Sequence, residues 1–249
     1  MISKARIKFV HTLEQKKARI REQLFVAEGP KVVGDLMERF QPKMIFHTAD
    51  WQAPAGVETD ETVSEEELKK LSFLQHPQQV LAVFPLPHTE ATNMELPSQQ
   101  LCLALDGVQD PGNVGTIIRV ADWFGITQIY CSHETADVYN PKVVQATMGS
   151  LARVDIHYTD LAPLIDHFPE NCPVYGTLLD GNNLYQQELS DHGLIVMGNE
   201  GKGLTAEVRQ RVNHRLLIPN YPKGRDTAES LNVAIATAIV CAEFRRRIE

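Results

Sequence analysis

Three short loops rich in glycine, asparagine and proline follow apolar, strand-like runs in the second half of the chain. They span residues 106–119, 198–203 and 218–233. In an open α/β sheet, ligands bind beyond the carboxyl ends of the strands, where glycine lets backbone amides approach a substrate closely. The three loops therefore predict one shared pocket at one edge of a sheet.

The first loop opens a predicted helix whose apolar residues form a single stripe. Val114, Ile117, Ile118 and Ala121 are spaced at i, i+3, i+4 and i+7, so this stripe is expected to face the core. Arg119 lies roughly 150° from the stripe in a regular helix. Its guanidinium is either held over the pocket mouth, where it could grip a phosphate or a ribose, or an ordinary solvated arginine.

Two polar residues of the loops also allow two interpretations each. Asn113 is either a substrate contact or the N-cap of the predicted helix, since asparagine is favoured at that position. Glu200 either orients a substrate hydroxyl or caps the helix that follows its own loop. The residue types alone leave both choices open.

The usual sequence motifs of nucleotide hydrolysis, nicotinamide binding, disulfide bonding and metal binding are not found. The loop 198–203 lacks the spacing and the Ser or Thr of a Walker phosphate loop, and no Gly-x-Gly-x-x-Gly follows a strand. The four cysteines, Cys102, Cys131, Cys172 and Cys241, are scattered, and the histidines show no metal-ligand spacing. We expect neither a disulfide framework nor a metal site.

The sequence shows neither the pattern of a signal peptide nor that of a membrane-spanning helix. The first eight residues carry charge with no apolar signal core behind them, and the apolar stretch 233–242 is too short to span a bilayer. We therefore expect a soluble protein that is not secreted and has no membrane partner, and the scattered cysteines favour a reducing cytoplasm.

Charge is distributed unevenly along the chain. The net charge is −8, yet residues 1–47 hold ten Lys or Arg against five Asp or Glu. Since phosphate contacts need cations, this front segment is the place where RNA binding is conceivable, although a run of like charge is often only a solvated face. The cations of the predicted first helix, residues 3–22, are Lys4, Arg6, Lys8, Lys16, Lys17, Arg19 and Arg21.

Element order predicts two α/β domains. Helices and strands alternate up to residue 84, and the aperiodic segment 85–100 carries three prolines, which is typical of a linker. We place the domains at residues 1–88 and 98–249. Strands alternating with helices after the linker predict a parallel sheet covered on both faces.

The last predicted helix, residues 230–247, is apolar on nearly every side. Such a helix is expected to be buried in its domain or against a second subunit. Its closing arginines, 245–247, either contact nucleic acid or complement the helix dipole.

Taken together, segments 113–119, 198–203 and 218–219 with 230–233 resemble the three signature motifs of the SpoU family of RNA ribose 2′-O-methyltransferases. Segment 24–30 looks like the start of that family's small RNA-binding domain, which is similar to certain ribosomal proteins. The resemblance implies an α/β fold with a C-terminal trefoil-knotted, parallel-sheet methyltransferase domain and a smaller N-terminal α/β RNA-binding domain.

The resemblance also implies a cofactor and site residues. The cofactor is S-adenosyl-L-methionine, held by Thr177, Leu178, Gly198, Ile218 and Leu231. The catalytic group is Arg119 with Asn113, Glu200, Ser230 and Asn232, which place the ribose and the phosphate. Residues 220–229 make the last loop longer than is usual in the family, and its Lys223 and Arg225 would either touch RNA or belong to a lid.

The implied function is transfer of a methyl group from S-adenosylmethionine to a ribose 2′-hydroxyl of structured RNA, with rRNA as the expected substrate. The expected assembly is a homodimer through the knotted domain. The alternatives are a tRNA substrate, a non-catalytic RNA-binding or ribosome-assembly protein that retains the fold, and an enzyme acting on a free metabolite.

Overall fold

The computed structural model describes residues 2–57, 61–87, 96–222 and 228–247. The chain divides into two compact units, each assembled from two segments. The N-terminal unit comprises Met1–His88 and Asp137–Arg153, and the C-terminal unit comprises Thr89–Ala136 and Val154–Glu249. Residues 137–153, which the sequence-based boundary places in the second domain, thus pack with the first 88 residues.

The N-terminal unit contains a four-stranded mixed sheet in the order β1-β4-β2-β3. β1 and β2 both run antiparallel to β4, and β2 is parallel to β3. The elements of residues 1–88 are α1 (Lys4–Thr12), α2 (Lys16–Glu22), β1 (Leu24–Glu28), α3 (Pro30–Met37), β2 (Met44–His47), β3 (Glu61–Thr62), α4 (Glu65–Leu71) and β4 (Val80–Pro85).

The single basic helix predicted over residues 3–22 is wrong, because the chain breaks between α1 and α2. The guanidinium of Arg19 is 2% exposed and donates to the carbonyl oxygens of Leu13 and Glu14 at 2.8 and 2.7 Å. It also forms an ion pair with Asp137, in the segment that joins this unit from later in the chain. Arg19 therefore stabilises the break, and it is not one of the exposed cations that could meet RNA.

The C-terminal unit contains a six-stranded sheet in the order β10-β8-β9-β5-β6-β7, with every neighbouring pair parallel. The predicted parallel sheet is confirmed. The remaining elements are β5 (Leu101–Asp106), α5 (Pro111–Trp123), β6 (Gln128–Cys131), α6 (Pro141–Ala146), β7 (Asp155–Tyr158), α7 (Leu161–Asp166), β8 (Val174–Asn183), β9 (Gly193–Gly198), α8 (Ala206–Arg211), β10 (His214–Leu217) and α9 (Val233–Arg246). Of these, α6 belongs to the N-terminal unit.

The predicted core stripe of α5 is confirmed, since Val114, Ile117, Ile118 and Ala121 are all fully buried. The last helix begins later than predicted, at Val233 rather than residue 230. Asn232 is its N-cap, and its side-chain oxygen accepts hydrogen bonds from the backbone of the first turn. Within the described residues, no helix is long and apolar enough to cross a bilayer.

The arginines at the end of α9 hold this helix in place. Arg245 donates to the carbonyl oxygens of Phe124 and Gly125, at the end of α5. Arg247 donates to the carbonyl oxygens of a turn at residues 184–187, just after β8, and pairs with Glu243. Of the two alternatives for residues 245–247, the structure thus supports a role within the fold for Arg245 and Arg247.

Glu243 gives the C-terminal unit a pH-dependent contribution to stability. Its side chain is 5% exposed, and the hydrogen-bonded guanidinium of Arg246 lowers the pKa of the carboxyl below its usual value, with Arg247 adding to the effect. A lowered pKa stabilises the fold above the unfolded pKa of about 4.3, and this stabilisation is lost as pH falls through the folded pKa.

We therefore expect Glu243→Gln to lower the free energy of unfolding by about 1–2 kcal/mol at pH 7, since hydrogen bonds to a charged group are weakened. The deficit should shrink as pH falls below about 4. Thermal unfolding from pH 3 to 7 measures it, with Glu188→Gln, at an exposed glutamate, as the control. A deficit that stays constant over this range would contradict the assignment.

Candidate functional site

A cavity of about 620 Å³ lies in the C-terminal unit at the carboxyl ends of β8, β9 and β10. Its volume falls within the range of roughly 300–1,000 Å³ that is usual for small-molecule sites. The five residues that the resemblance assigned to the cofactor all line it, namely Thr177, Leu178, Gly198, Ile218 and Leu231. The structure thus brings together residues from three strand ends.

One wall of the cavity is a bulge in β8. The pairing of β10 with β8 shifts from Gly176 to Asn182 between two successive residues of β10, so residues 177–181 leave the sheet. A Cβ at Gly181 would lie 2.6 Å from the carbonyl carbon of Leu216. Glycine is therefore required there, because the bulge rests directly on the backbone of β10.

The loop after β9 folds back on itself in the same way. A Cβ at Gly198 would lie 2.5 Å from the carbonyl carbon of Gly203. Asn199 and Gly203 exchange backbone hydrogen bonds at 3.0 and 2.9 Å. The wall at this point consists of backbone, which leaves peptide groups close to a ligand.

The loops after β5 and β9 are hydrogen-bonded to each other. The side-chain amide of Asn199 donates to the carbonyl oxygen of Gly107 at 2.7 Å, and its oxygen accepts from the backbone of Gly201 and Lys202. The backbone N–H of Thr205 donates to Asp106 at 2.6 Å. These contacts fix the position of the loop 199–203 relative to the start of α5.

Three of the predicted catalytic residues form one chain of hydrogen bonds. The amide nitrogen of Asn113 donates to Glu200 at 3.0 Å, and its oxygen accepts from the amide nitrogen of Asn232 at 2.9 Å. Since each residue comes from a different loop, the chain joins all three. Glu200 and Ser230 also line the cavity, which places the polar chain at its edge.

The capping alternatives for Asn113 and Glu200 are wrong as stated. Asp110 is the N-cap of α5, and its side chain accepts from the backbone of Asn113 at 2.8 Å. Thr205 is the N-cap of α8, the helix that follows Glu200. The carboxylate of Glu200 instead lies at the start of α5, 3.4 Å from the backbone nitrogens of residues 109 and 110, where the helix dipole favours negative charge.

Arg119 is placed differently from the other predicted residues. It lies on α5 with its side chain exposed, and it is not among the residues that line the cavity. Within the described part of the chain, no hydrogen bond or ion pair involves its guanidinium. In one copy of the chain, therefore, the structure does not bring Arg119 to the cavity wall.

Sequence reasoning assigned no role to Asp180 in the bulge or to Arg209 on α8, which are both charged residues of the wall. Asp180 directly follows the apolar run that ends at Leu179, a signal that could have identified it. Arg209 belongs to an ordinary amphipathic helix, and no spacing distinguishes it. Lys223 and Arg225, which the sequence suggested as RNA contacts or part of a lid, lie outside the described residues.

The wall is suited to S-adenosylmethionine, with apolar side chains for its adenine and peptide groups for its polar edges. Leu179 and Leu231 are 73% and 50% exposed although both line the cavity, so they offer apolar surface to a flat ring. Backbone groups beside Gly198 and Ile218 are close enough to the cavity to bind polar edges. Within the described residues, no group of three or more His, Cys, Asp or Glu could hold a metal ion.

Comparison with known proteins agrees with the geometry. Residues 100–242 match the SpoU rRNA Methylase family, and residues 4–82 match an MRM3-like substrate binding domain. The chain is 32% identical over 241 residues to the 23S rRNA (guanosine(2553)-2′-O)-methyltransferase RlmP of Bacillus subtilis, covering 94% of this chain and 93% of that protein.

Two solved structures are similar over almost the whole length. A TrmH-family protein from Porphyromonas gingivalis is 42% identical, with a TM-score of 0.87 and 99% coverage of both chains. An AdoMet-bound rRNA methyltransferase from Sinorhizobium meliloti is 29% identical, with a TM-score of 0.83 and coverage of 100% of this chain and 97% of the other. The chain therefore belongs to the SpoU rRNA methylase family.

Proposed function

We propose that the protein transfers a methyl group from S-adenosylmethionine to a ribose 2′-hydroxyl of ribosomal RNA. The observation that carries the proposal is the chain from Glu200 through Asn113 to Asn232, which lies at the edge of a cavity suited to the methyl donor. The relative from Bacillus subtilis is named as a 2′-O-methyltransferase of 23S rRNA, and a similar structure holds AdoMet.

The donor supplies a methyl group on a positively charged sulfur. In the overall reaction, a bond forms between the ribose oxygen and the methyl carbon, the bond from that carbon to sulfur breaks, and the hydroxyl proton leaves. Asn113, Ser230 and Asn232 provide neutral donors and acceptors that position the ribose. Glu200 accepts a hydrogen bond from the amide nitrogen of Asn113 and so fixes the orientation of that amide.

Arg119 acts as a cation rather than as a base. A guanidinium has a pKa above about 12 and does not accept the hydroxyl proton at neutral pH. Its planar fork suits an RNA phosphate, and its charge stabilises negative charge that develops on the ribose oxygen. This role requires Arg119 to be near a bound ribose, although Arg119 lies outside the cavity of its own chain.

We infer that a second copy of the chain brings Arg119 to the cavity. On α5, Thr116, Arg119 and Trp123 share an exposed face, and Trp123 is 84% exposed. α9 packs on α5 and has its own outward apolar stripe, which includes Ile235 at 54% exposure. Exposed apolar faces of this kind mark subunit contacts, so we assign the dimer interface to α5 and α9 and place Arg119 of each protomer beside the cavity of its partner.

The N-terminal domain, residues 1–88, is proposed to bind the RNA, and residues 98–249 to perform the transfer. Exposed Lys4, Lys8 and Lys17 give α1 and α2 a positive surface for phosphates. Folded rRNA in the cytoplasm suits a separate module that recognises shape. A tRNA substrate or a non-catalytic ribosome-assembly role are the alternatives that experiment must separate.

The function is tested by methyl transfer from labelled S-adenosylmethionine to rRNA and to tRNA from cells that lack the protein, followed by mapping of 2′-O-methyl sites. We expect incorporation at one ribose of rRNA. Asn113→Ala should reduce the rate by about 10- to 100-fold, because it removes the hydrogen bonds that orient the site. Incorporation only into tRNA would shift the proposal to that alternative, and none into either RNA would support the non-catalytic one.

Arg119→Lys tests the need for the planar guanidinium. Lysine keeps the charge but loses the two-pronged contact, so we expect a fall of at least about tenfold in kcat. Arg119→Ala should fall further. The matched control is Arg153→Lys, at an arginine on the surface of the N-terminal unit. Near-normal turnover by Arg119→Lys would show that charge alone suffices.

Action across the interface is tested by mixed dimers. Arg119→Ala is co-expressed with Glu200→Gln, so that some dimers contain one subunit of each kind. If Arg119 acts on its partner's cavity, one of the two sites in such a dimer has both native residues. With random pairing, about one quarter of the wild-type number of sites should be restored. If Arg119 acts within its own chain, every site stays defective and mixing restores nothing. Light scattering of Trp123→Glu, expected to be monomeric, checks the interface itself.

A further inference from the structure

An ion pair on the cavity wall has no role in the mechanism above. Asp180 lies in the bulge of β8 and Arg209 on α8, and the guanidinium of Arg209 donates to the carboxylate of Asp180. The side chains are 52% and 40% exposed, respectively. Both residues line the cavity, and among the described residues that do so they are the one pair joined by an ion pair.

The pair contributes little to the fold. Exposed ion pairs are worth about 0–1 kcal/mol, since water and salt screen them. Asp180 also has a second cation, because Arg215 on β10 lies 3.3 Å from the same carboxylate oxygen. Because the pair is weak, Arg209 can turn towards a ligand at little cost in free energy.

One part of the methyl donor needs charged partners that the apolar wall does not supply. Leu179 and Leu231 offer apolar surface for the purine, and backbone groups suit its edges and the ribose. The amino acid end of the donor carries an ammonium and a carboxylate, and both need charged or strongly polar partners when they leave water. Glu200 is already engaged by Asn113 and the start of α5.

We propose that Arg209 and Asp180 bind the α-amino acid group of the methyl donor, with Arg209 on the carboxylate and Asp180 on the ammonium. The proposal rests on the proposed function, since it assumes that S-adenosylmethionine occupies the cavity. A guanidinium meets a carboxylate through two parallel hydrogen bonds, and a carboxylate accepts from an ammonium. The two opposite charges of the pair thus match the two opposite charges of the amino acid group.

Calorimetric titration with two ligands tests the assignment without any turnover. S-Adenosylhomocysteine has the amino acid group, whereas 5′-methylthioadenosine keeps the adenine, ribose and sulfur but lacks it. We expect Arg209→Gln to weaken binding of S-adenosylhomocysteine by about 10- to 100-fold, the worth of charge-assisted hydrogen bonds. Binding of 5′-methylthioadenosine should change by less than about twofold, which is the error within which independent mutational effects add.

Arg215→Gln is the matched control. It removes the same charge from the same carboxylate, but Arg215 does not line the cavity, so binding of both ligands should be unchanged. Asp180→Asn provides a second variant, expected to behave as Arg209→Gln does, should the latter fail to fold. Thermal unfolding of each variant confirms that the domain is intact.

The outcomes separate the inference from the proposed function. If the wild-type protein binds neither ligand, the proposed function fails. If it binds both equally well, or if Arg209→Gln weakens both ligands alike, the amino acid group is not held here and the inference is overturned. Equal effects of Arg209→Gln and Arg215→Gln on S-adenosylhomocysteine would overturn it as well.

Discussion

The site depends on the hydrogen bonds that Asn113 makes to Glu200 on one side and to Asn232 on the other. These bonds join loops that are 87 and 119 residues apart in sequence. Parallel strands bring the loops to one edge of the sheet, but they do not fix the angle of any side chain. The chain of three polar residues does so, because each hydrogen bond restricts two side chains at once. The N-cap position of Asn232 further restricts its rotation.

Glycines set the second constraint on the cavity. At Gly181 and Gly198 a Cβ would approach backbone atoms to 2.6 and 2.5 Å, so close packing of main chain against main chain forms the wall. A wall of this kind binds through peptide groups, whose identity does not depend on the side chain. This is why the cofactor residues implied by the resemblance include Gly198, Ile218 and Leu231, which carry no polar side-chain group.

The sequence was sufficient for the parallel sheet of the C-terminal unit and for most of the strands and helices, because apolar periodicity marks them locally. The five cofactor residues that line the cavity came from the resemblance to a family, not from periodicity. The sequence was not sufficient where a distant residue decides the local structure. Arg19 breaks the first helix with the help of Asp137, 118 residues later, and the assignment of residues 137–153 to the N-terminal unit follows from similar contacts. No window of the sequence contains both partners.

Helix starts illustrate the same limit on a smaller scale. Asp110 and Asn113 are both good N-caps, and they lie three positions apart. The proline at position 111 decides between them, since it fits the first turn of a helix that begins there and leaves Asp110 as the cap. Asn113 is thereby released for its contacts with Glu200 and Asn232. The trefoil crossing that the resemblance implies depends on the path of the whole chain, which strand order alone does not trace, and it stays a prediction.

An acidic protein that binds RNA must concentrate its attraction locally. The ten cations of residues 1–47 overstate this attraction, because Arg19 is buried and Arg6, Arg21 and Lys31 are paired with acids. Lys4, Lys8 and Lys17 remain exposed, and within the described residues no ion pair engages them. Few phosphate contacts mean a weak attraction, and phosphate contacts carry no base specificity. On the proposed function, selection of the target ribose then falls to the shape of the RNA and to the polar residues at the cavity edge, which come from three restrained loops.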